Sequence, residues 1–581
     1  MNFSNHLLTL ILEANVYSLP ILMQLGWASA AFVLWLNLSR DREKARQFLL
    51  WVSLLSICFP ILFYSSNYIF IRSIGRSLDF PQDLFISWGL RCAGGVFVAL
   101  AWLRFAQPRM NQALDWLKVG TKLERNKKTD VREIHKFLPV AAEFDPIKYI
   151  DLKKGVFIGL NEGKKPCYIN FTADKPAPHT QVVGTTGSGK SIVLSLMASQ
   201  FLERGEAVFY FDPKSPGDEW APHVLHAEAQ RTGKPFHFID LNSPHGPQLN
   251  PFFGARKEQI FELFQAGLSL TDRGDASDFY GIGDRREASR AAGLMDKGNL
   301  NVAQLYSAMA GTMEGGEKFE GRLRELAEIS SINALNGQGV DLAKVIKEGG
   351  CVYIVGSLRN DIVKMIQKIL LVRLYHLAEE RDRIDGELRH ICIVLDELKF
   401  HISRPAIDGM SAARDKGIHF IRAHQSLGDL EDCPADLNPK AVKDAIAENC
   451  KRRIVYQIQT PETARWMAEK TGDIQVDDEV RKVTRNVAQA EIVNPERSIR
   501  QAERNFIDVN MFLYLPDFVA VLFGQGLPQF VTVRNLQVKK SREAVQIHEV
   551  DGATYEAEDA IDIPDTDIAA NQSAASAAID I

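Results

Sequence analysis

Paired cysteines are absent. The seven cysteines (Cys58, Cys92, Cys167, Cys351, Cys392, Cys433 and Cys450) are scattered, with no C-x-x-C pair among them. That argues against a zinc site and a disulfide framework, and it fits a reducing compartment for the soluble part. Charge is missing from two N-terminal runs. Ala14–Ser39 and Gln47–Ile71 contain no Asp, Glu, Lys or Arg, and a third run, Leu84–Leu103, contains only Arg91. Each is long enough to cross about 30 Å of hydrocarbon as a helix. No basic stretch precedes the first run, so a cleaved signal peptide fits poorly. At the other end positive charge is missing: Glu549 to Ile581 holds nine Asp or Glu and no Lys or Arg. The chain's formal charge of −5 therefore belongs to its tail, and the remainder is positive. Residues 541–581 read as an acidic, disordered tail, either a solubilising end or a docking segment for a partner.

What is present begins with an anchor. Residues 1–110 read as two to three membrane-spanning helices, and residues 111–150 as a linker. "RDREKAR" (Arg40 to Arg46) holds four basic residues, against two between Arg72 and Asp83. Arg104, Arg109, Lys118, Lys122, Arg125, Lys127 and Lys128 follow the third run. An excess of Lys and Arg marks cytosolic loops. The soluble part is thus expected to face the cytosol from a multi-pass anchor, with the loop between the second and third runs outside.

The 581 residues are enough for several domains. Within "QVVGTTGSGKS" the residues Gly184, Gly189, Lys190 and Ser191 fill the frame G-x-x-x-x-G-K-S. Glycines allow a tight turn in which backbone N–H groups converge on phosphate oxygens. Gly184, Thr185, Thr186, Gly187, Ser188, Gly189, Lys190 and Ser191 are therefore the candidate ATP-binding residues. Lys190 would meet the β- and γ-phosphates, and the Ser191 hydroxyl would face Mg²⁺. A strand, "HTQVVG", precedes the frame and a helix, "SIVLSLMASQFL", follows it, as the motif requires.

The second half of the site is "HICIVLDELKF". Five apolar residues, Ile391 to Leu395, predict a buried parallel strand ending in Asp396-Glu397. Asp396 is placed to hold Mg²⁺ opposite Ser191, and Glu397 to polarise the attacking water. A GTPase is disfavoured, since "NKKTD" at Asn126 has the wrong spacing and lies before the phosphate loop. Strands predicted in "EAVFYFDP", "PFHFIDL", "CVYIVGSL", "GIHFIRAHQ" and "RRIVYQIQ" alternate with helices, the pattern of an α/β, mostly parallel sheet. Gly254 to Gly339 lacks strong strands and reads as an all-α insertion (254–340), dividing a nucleotide-binding domain into 151–253 and 341–540. Its Gly/Asp-rich stretch "TDRGDASDFYGIGDRRE" reads as a mobile loop.

In this order the motifs resemble those of the type IV coupling proteins of bacterial conjugation, the TraD/TraG family of DNA-pumping ATPases. The carrying residues are "VVGTTGSGKS", "YFDPKSPGDEW", "LNPF", "IVLDEL", "AARDKGIHFIRAHQSLGDLED" and "AENCKRRIVYQIQTPETARWMAEKTGD". The resemblance covers roughly residues 140 to 535. It implies a RecA-like P-loop NTPase core behind a transmembrane anchor, sited in the bacterial inner membrane. It also implies ATP and Mg²⁺ as cofactors, and a homo-oligomer, a hexamer in this class. DNA, relaxase and relaxosome proteins, type IV secretion channel components and membrane lipid are the implied partners. Gln425 matches the family's γ-phosphate sensor, and Arg414 matches an arginine that reaches the neighbouring subunit's nucleotide. The family's "DPKGE" reads "DPKSPGDE" here, which leaves the role of Lys214 open. "CKRR" (Cys450 to Arg453), "VRKVTR" (Val480 to Arg485) and "VKKSR" (Val538 to Arg542) are the basic candidates for contacting DNA phosphates. A receptor for protein effectors and a DNA pump for chromosome segregation are the alternatives.

Overall fold

The computed structural model describes residues 2–38, 43–73, 82–110, 123, 126–171, 176–214, 216–242, 245–270, 277–335, 337–381, 388–485 and 491–552. The chain divides into two units. One comprises Met1–Asn126 and Ile474–Arg504, and the other Lys127–Asp473 and Asn505–Ile581. Its strands are β1 (Val156–Asn161), β2 (Pro166–Ile169), β3 (Thr180–Val183), β4 (Ala207–Asp212), β5 (Phe236–Asp240), β6 (Gly350–Val355), β7 (Ile391–Leu395), β8 (Ile418–His424), β9 (Arg452–Val455), β10 (Asp473–Arg485), β11 (Glu491–Asn505), β12 (Val519–Phe523) and β13 (Gln529–Thr532).

In the first unit the uncharged runs are helical. Tyr17–Asn37, Glu43–Ser73 and Gln82–Met110 are long and apolar enough to cross a membrane, by length and composition. Small and hydroxylated residues let these helices approach one another. Ser29 Oγ donates to Cys92 O at 2.7 Å, and a Cβ on Gly26 would lie 3.0 Å from Trp88 O. The expected outside loop lies largely outside the described residues, at 74–81. β10 and β11 pair as a separate two-stranded sheet.

The second unit is built on one sheet in the order β2-β1-β13-β12-β9-β3-β8-β7-β4-β6-β5. From β9 to β5 every pairing is parallel. These strands are covered on both faces, which is why their sequences are nearly continuous apolar runs. Along β4, Phe209 and Phe211 enter one core and Val208 and Tyr210 the other. On the second face pack the helices Lys190–Glu203 and Ala221–Thr232; on the first packs Asp361–Glu379. β8 separates β3 from β7, the RecA-like arrangement that sets the phosphate loop one strand away from Asp396.

Four strands of this sheet were not among those predicted. β1, β2, β12 and β13 extend the sheet with antiparallel pairings. A short apolar run carries no record of its direction; that depends on what its neighbour in space is. In β1, Gly159 is required because Thr532 O of β13 occupies the space of a side chain.

The insertion is helical as expected, with Lys257–Leu268, Ile282–Gly298, Val302–Met309 and Glu317–Ala327. The predicted mobile loop is corrected from residue 277 onward, where Ser277–Tyr280 and Ile282–Gly298 are helices; 271–276 lie outside the described residues. The glycines there serve packing: Gly283 touches the backbone of Gly315, and buried Asp284 accepts from Phe319 N at 2.9 Å. The tail expected from 541 is likewise packed as far as Gly552. Ser541 N donates to His223 Nδ1, Ala544 is buried, Ile547 bridges Phe238, and Gly552 bridges Ala334. Residues 553–581 lie outside the described residues.

Candidate nucleotide site

The phosphate-loop frame joins β3 to the helix Lys190–Glu203. Neighbouring segments hold it from two sides: Thr185 N donates to Gln457 O at 2.9 Å, and Phe518 N to Ser188 O at 3.1 Å. Gly189 caps the helix at φ +112°, where a Cβ would press to 3.3 Å on Phe518 and Tyr456. Thr186 and Gly187 form the exposed crest, and Ser191 is half-buried in the first helical turn. Lys190 is buried and donates to Gly184 O at 2.6 Å and Thr185 O at 3.0 Å. Burial lowers its pKa, opposed by Glu397 and Asp396 nearby.

Asp396 and Glu397 follow β7 directly, and both are buried. Glu397 stands at φ +74°, a left-handed conformation that few non-glycine residues adopt. Such strain costs about 1–3 kcal/mol and gathers where a side chain must be aimed. Gln425, after the end of β8, donates through Nε2 to Glu397 Oε1 at 2.9 Å. Its own backbone N–H and that of Ser426 are held by Asp429 Oδ2, at 2.7 and 3.1 Å. The fold thus gathers Lys190, Ser191, Asp396, Glu397 and Gln425 at the carboxyl ends of three adjacent strands. Asp396 Oδ1 and Glu397 Oε2 are buried acceptors with no hydrogen-bond partner among the described residues. Two unmatched carboxylate oxygens beside a phosphate-binding loop suit a hydrated divalent cation and a water nucleophile.

Two neighbours carry no assigned role in the sequence reading. Lys214 Nζ lies 2.6 Å from Asp396 Oδ2. Burial works against its charge, but Asp396, with Asp212 and Glu397, outweighs this, and its pKa ends above the usual lysine value. Asp212, at the end of β4, accepts from Tyr353 Oη and Asp218 N at 2.6 Å each, and from Lys214 N at 2.9 Å. Burial, with Asp396 adding to it, raises its pKa to about 6. The family-like D-P-K stretch was the available signal. Asp429, which positions Gln425, had none beyond its place in "HQSLGD".

Arg414 is not gathered here. It lies in the turn Ala413–Lys416 before β8, whereas Gln425 follows that strand. Among the basic candidates, Arg453 is half-buried and donates to Gln181 Oε1 and Ala447 O. Lys540 pairs with Glu219 and sits over the Trp220 ring. The side chains of 480–485 lie outside the described residues.

Residues 390–516 match the family model TraG-D_C, the TraM recognition site of TraD and TraG. Mobilization protein A of Escherichia coli is 26% identical over 332 residues, so that the match spans 56% of this chain and 60% of the relative's length. Among solved structures, plasmid coupling protein TrwB with a non-hydrolysable ATP analogue is 15% identical at a TM-score of 0.48, covering 73% of this chain and 98% of its own. TrwB with ADP and Mg²⁺ is 14% identical at a TM-score of 0.47, with 70% and 95% covered. The matched model takes in β7 and β8, which Asp396, Glu397 and Gln425 directly follow, and β9 after them, so this segment of the chain is similar to the corresponding part of TraD and TraG.

Proposed function

We propose that this chain is a membrane-anchored ATPase that recruits a relaxase–DNA complex to a type IV secretion channel and drives conjugative transfer. The observation that carries this reading is the Gln425–Glu397–Asp396 cluster facing Lys190 inside a TraD/TraG-type segment. ATP phosphates would lie against the backbone N–H groups of Gly184–Ser191 with Lys190 as their cation. The Ser191 hydroxyl, and Asp396 through water, would hold Mg²⁺, which would supply charge neutralisation at the β- and γ-phosphates. Glu397 accepts the proton of the attacking water, and Gln425 holds that carboxylate in place. The match to the TraM recognition site of TraD and TraG supports the recruiting role for this chain. A homo-hexamer in the inner membrane is the assembly we propose, contacting DNA phosphates without reading bases.

Lys190→Ala tests this reading. It removes the phosphate cation from the loop, so ATP hydrolysis and plasmid transfer are expected to fall to background while membrane insertion persists. A mating assay with membrane fractionation checks both, and near-normal transfer would overturn the motor reading. For topology, a reporter active only outside the cytosol should work when fused within Arg72 to Asp83 and fail within Arg40 to Arg46. Activity at the second position would reverse the proposed orientation.

A further inference from the structure

The turn that opens β12 carries an aromatic residue where glycine is usual. Val519 N donates to Pro516 O at 3.2 Å, closing residues 516–519, and Phe518 in the third position stands at φ +65°. Glycine or asparagine ordinarily fills a left-handed turn position, and a bulky side chain there is strained. Of the five described non-glycine residues with left-handed φ, Ser269 and Asn299 close helices and Lys164 lies in the turn between β1 and β2. The remaining two are Glu397 and Phe518. Among the described residues, the Phe518 ring joins none of the apolar clusters, so core packing does not account for it. Strain of this kind gathers at catalytic groups and ligand clamps.

Its surroundings point to a ligand. The ring lies against the phosphate loop, where a Cβ on Gly189 would press to 3.3 Å on Phe518 Cδ1. Arg534 covers the ring, its guanidinium carbon 5.1 Å from the centroid. That guanidinium is fixed in turn: Nε donates to Ala142 O at 2.8 Å, and Nη2 lies 2.7 Å from Glu143 Oε1. With the loop and Arg534 both against it, the ring is still partly exposed. β12 runs antiparallel to β9, so Phe518 lies at the same sheet edge as the phosphate loop. In the strand order β12-β9-β3-β8-β7, Glu397 and Gln425 follow β7 and β8, to one side of the loop after β3, and Phe518 precedes β12 on the other. A γ-phosphate facing Glu397 leaves the nucleoside, at the opposite end of the triphosphate, on the Phe518 side.

We propose that the open part of the Phe518 ring receives the nucleobase of ATP, and that Arg534 holds the ring in place from the face it covers. This rests on the ATPase reading above and extends it to the base. A stacked ring meets the face of a base and reads none of its edges, so the contact serves either purine. The attraction between guanidinium and aromatic face leaves Phe518 set in position before the nucleotide arrives.

The test measures binding to the full-length protein, in detergent with Mg²⁺, of ATP and of inorganic tripolyphosphate, which has the phosphates without the nucleoside. Phe518→Leu keeps the backbone N–H that donates to Ser188 O and removes the ring. It should weaken ATP binding by roughly tenfold to a hundredfold, the usual worth of one stacked base, and leave tripolyphosphate at the parent's affinity. GTP should be weakened alongside ATP, and Phe518→Tyr, which keeps the ring, should restore both. Equal losses for ATP and tripolyphosphate would make Phe518 a support of the loop alone and overturn the proposal, as would ATP binding indifferent to the substitution. Should the leucine protein fail to fold, a parent that binds ATP no more tightly than tripolyphosphate overturns it without any variant. A parent that binds neither ligand defeats the ATPase reading itself, and the proposal with it.

Discussion

The Glu397→Gln protein should bind ATP about as well as the parent and hydrolyse it slower by roughly 10²–10⁴-fold, the usual worth of a positioned general base. The substitution keeps the size of the side chain and an oxygen for the bond from Gln425 Nε2. It leaves Lys190, Ser191 and Asp396 unaltered, so the groups proposed to hold Mg²⁺ and the phosphates remain. What is lost is the carboxylate oxygen Oε2, the buried acceptor without a partner among the described residues. ATP should then be held rather than consumed, and any ring that nucleotide stabilises should persist. Nucleotide binding measured alongside single-turnover hydrolysis separates the two effects. Hydrolysis at the parent rate would remove Glu397 from the base's role, and loss of binding would make it a structural support of the loop.

How legible was this in the sequence? The parallel strands were, because strands buried on both faces have little choice but to be apolar throughout, as in "AVFYF" and "ICIVL". The phosphate loop was legible because its chemistry needs glycines at fixed spacing. The pairing of Lys214 with Asp396 was not, for those residues are 182 apart in sequence and meet only because β4 lies against β7. β10 and β11 were missed for another reason. A separate two-stranded ribbon has no second layer to bury, so charged stretches such as "DDEVRKVTR" give no apolar period. The stretch from Ser541 to Gly552 was misjudged by composition: its charge reads as tail, yet Ala544 is fully buried.

Arg414 is the residue whose position most constrains how such a site would work. The strand β8, Ile418–His424, separates it from Gln425, and at about 3.3 Å per residue that strand alone spans roughly 23 Å. A second marker puts Arg414 at the same far end. His179, just before β3, has its pKa driven down to about 2, first by burial and then by Arg422, His419 and Arg414. The guanidinium is therefore near where β3 begins, whereas the phosphate loop starts where β3 ends. It cannot serve its own Lys190, so a role in hydrolysis must be played across a subunit interface. An arginine supplied that way is worth roughly 10³–10⁵ in rate. Arg414→Ala protein is accordingly expected to bind ATP with parental affinity and to hydrolyse it slower by about that factor. Mixing it with Lys190→Ala protein should restore part of the activity, because some interfaces then join an intact arginine to an intact loop. Hydrolysis measured across mixing ratios, with co-assembly shown by crosslinking, gives the answer. Mixed assemblies as inactive as either parent would leave Arg414 as a residue of its own subunit's base.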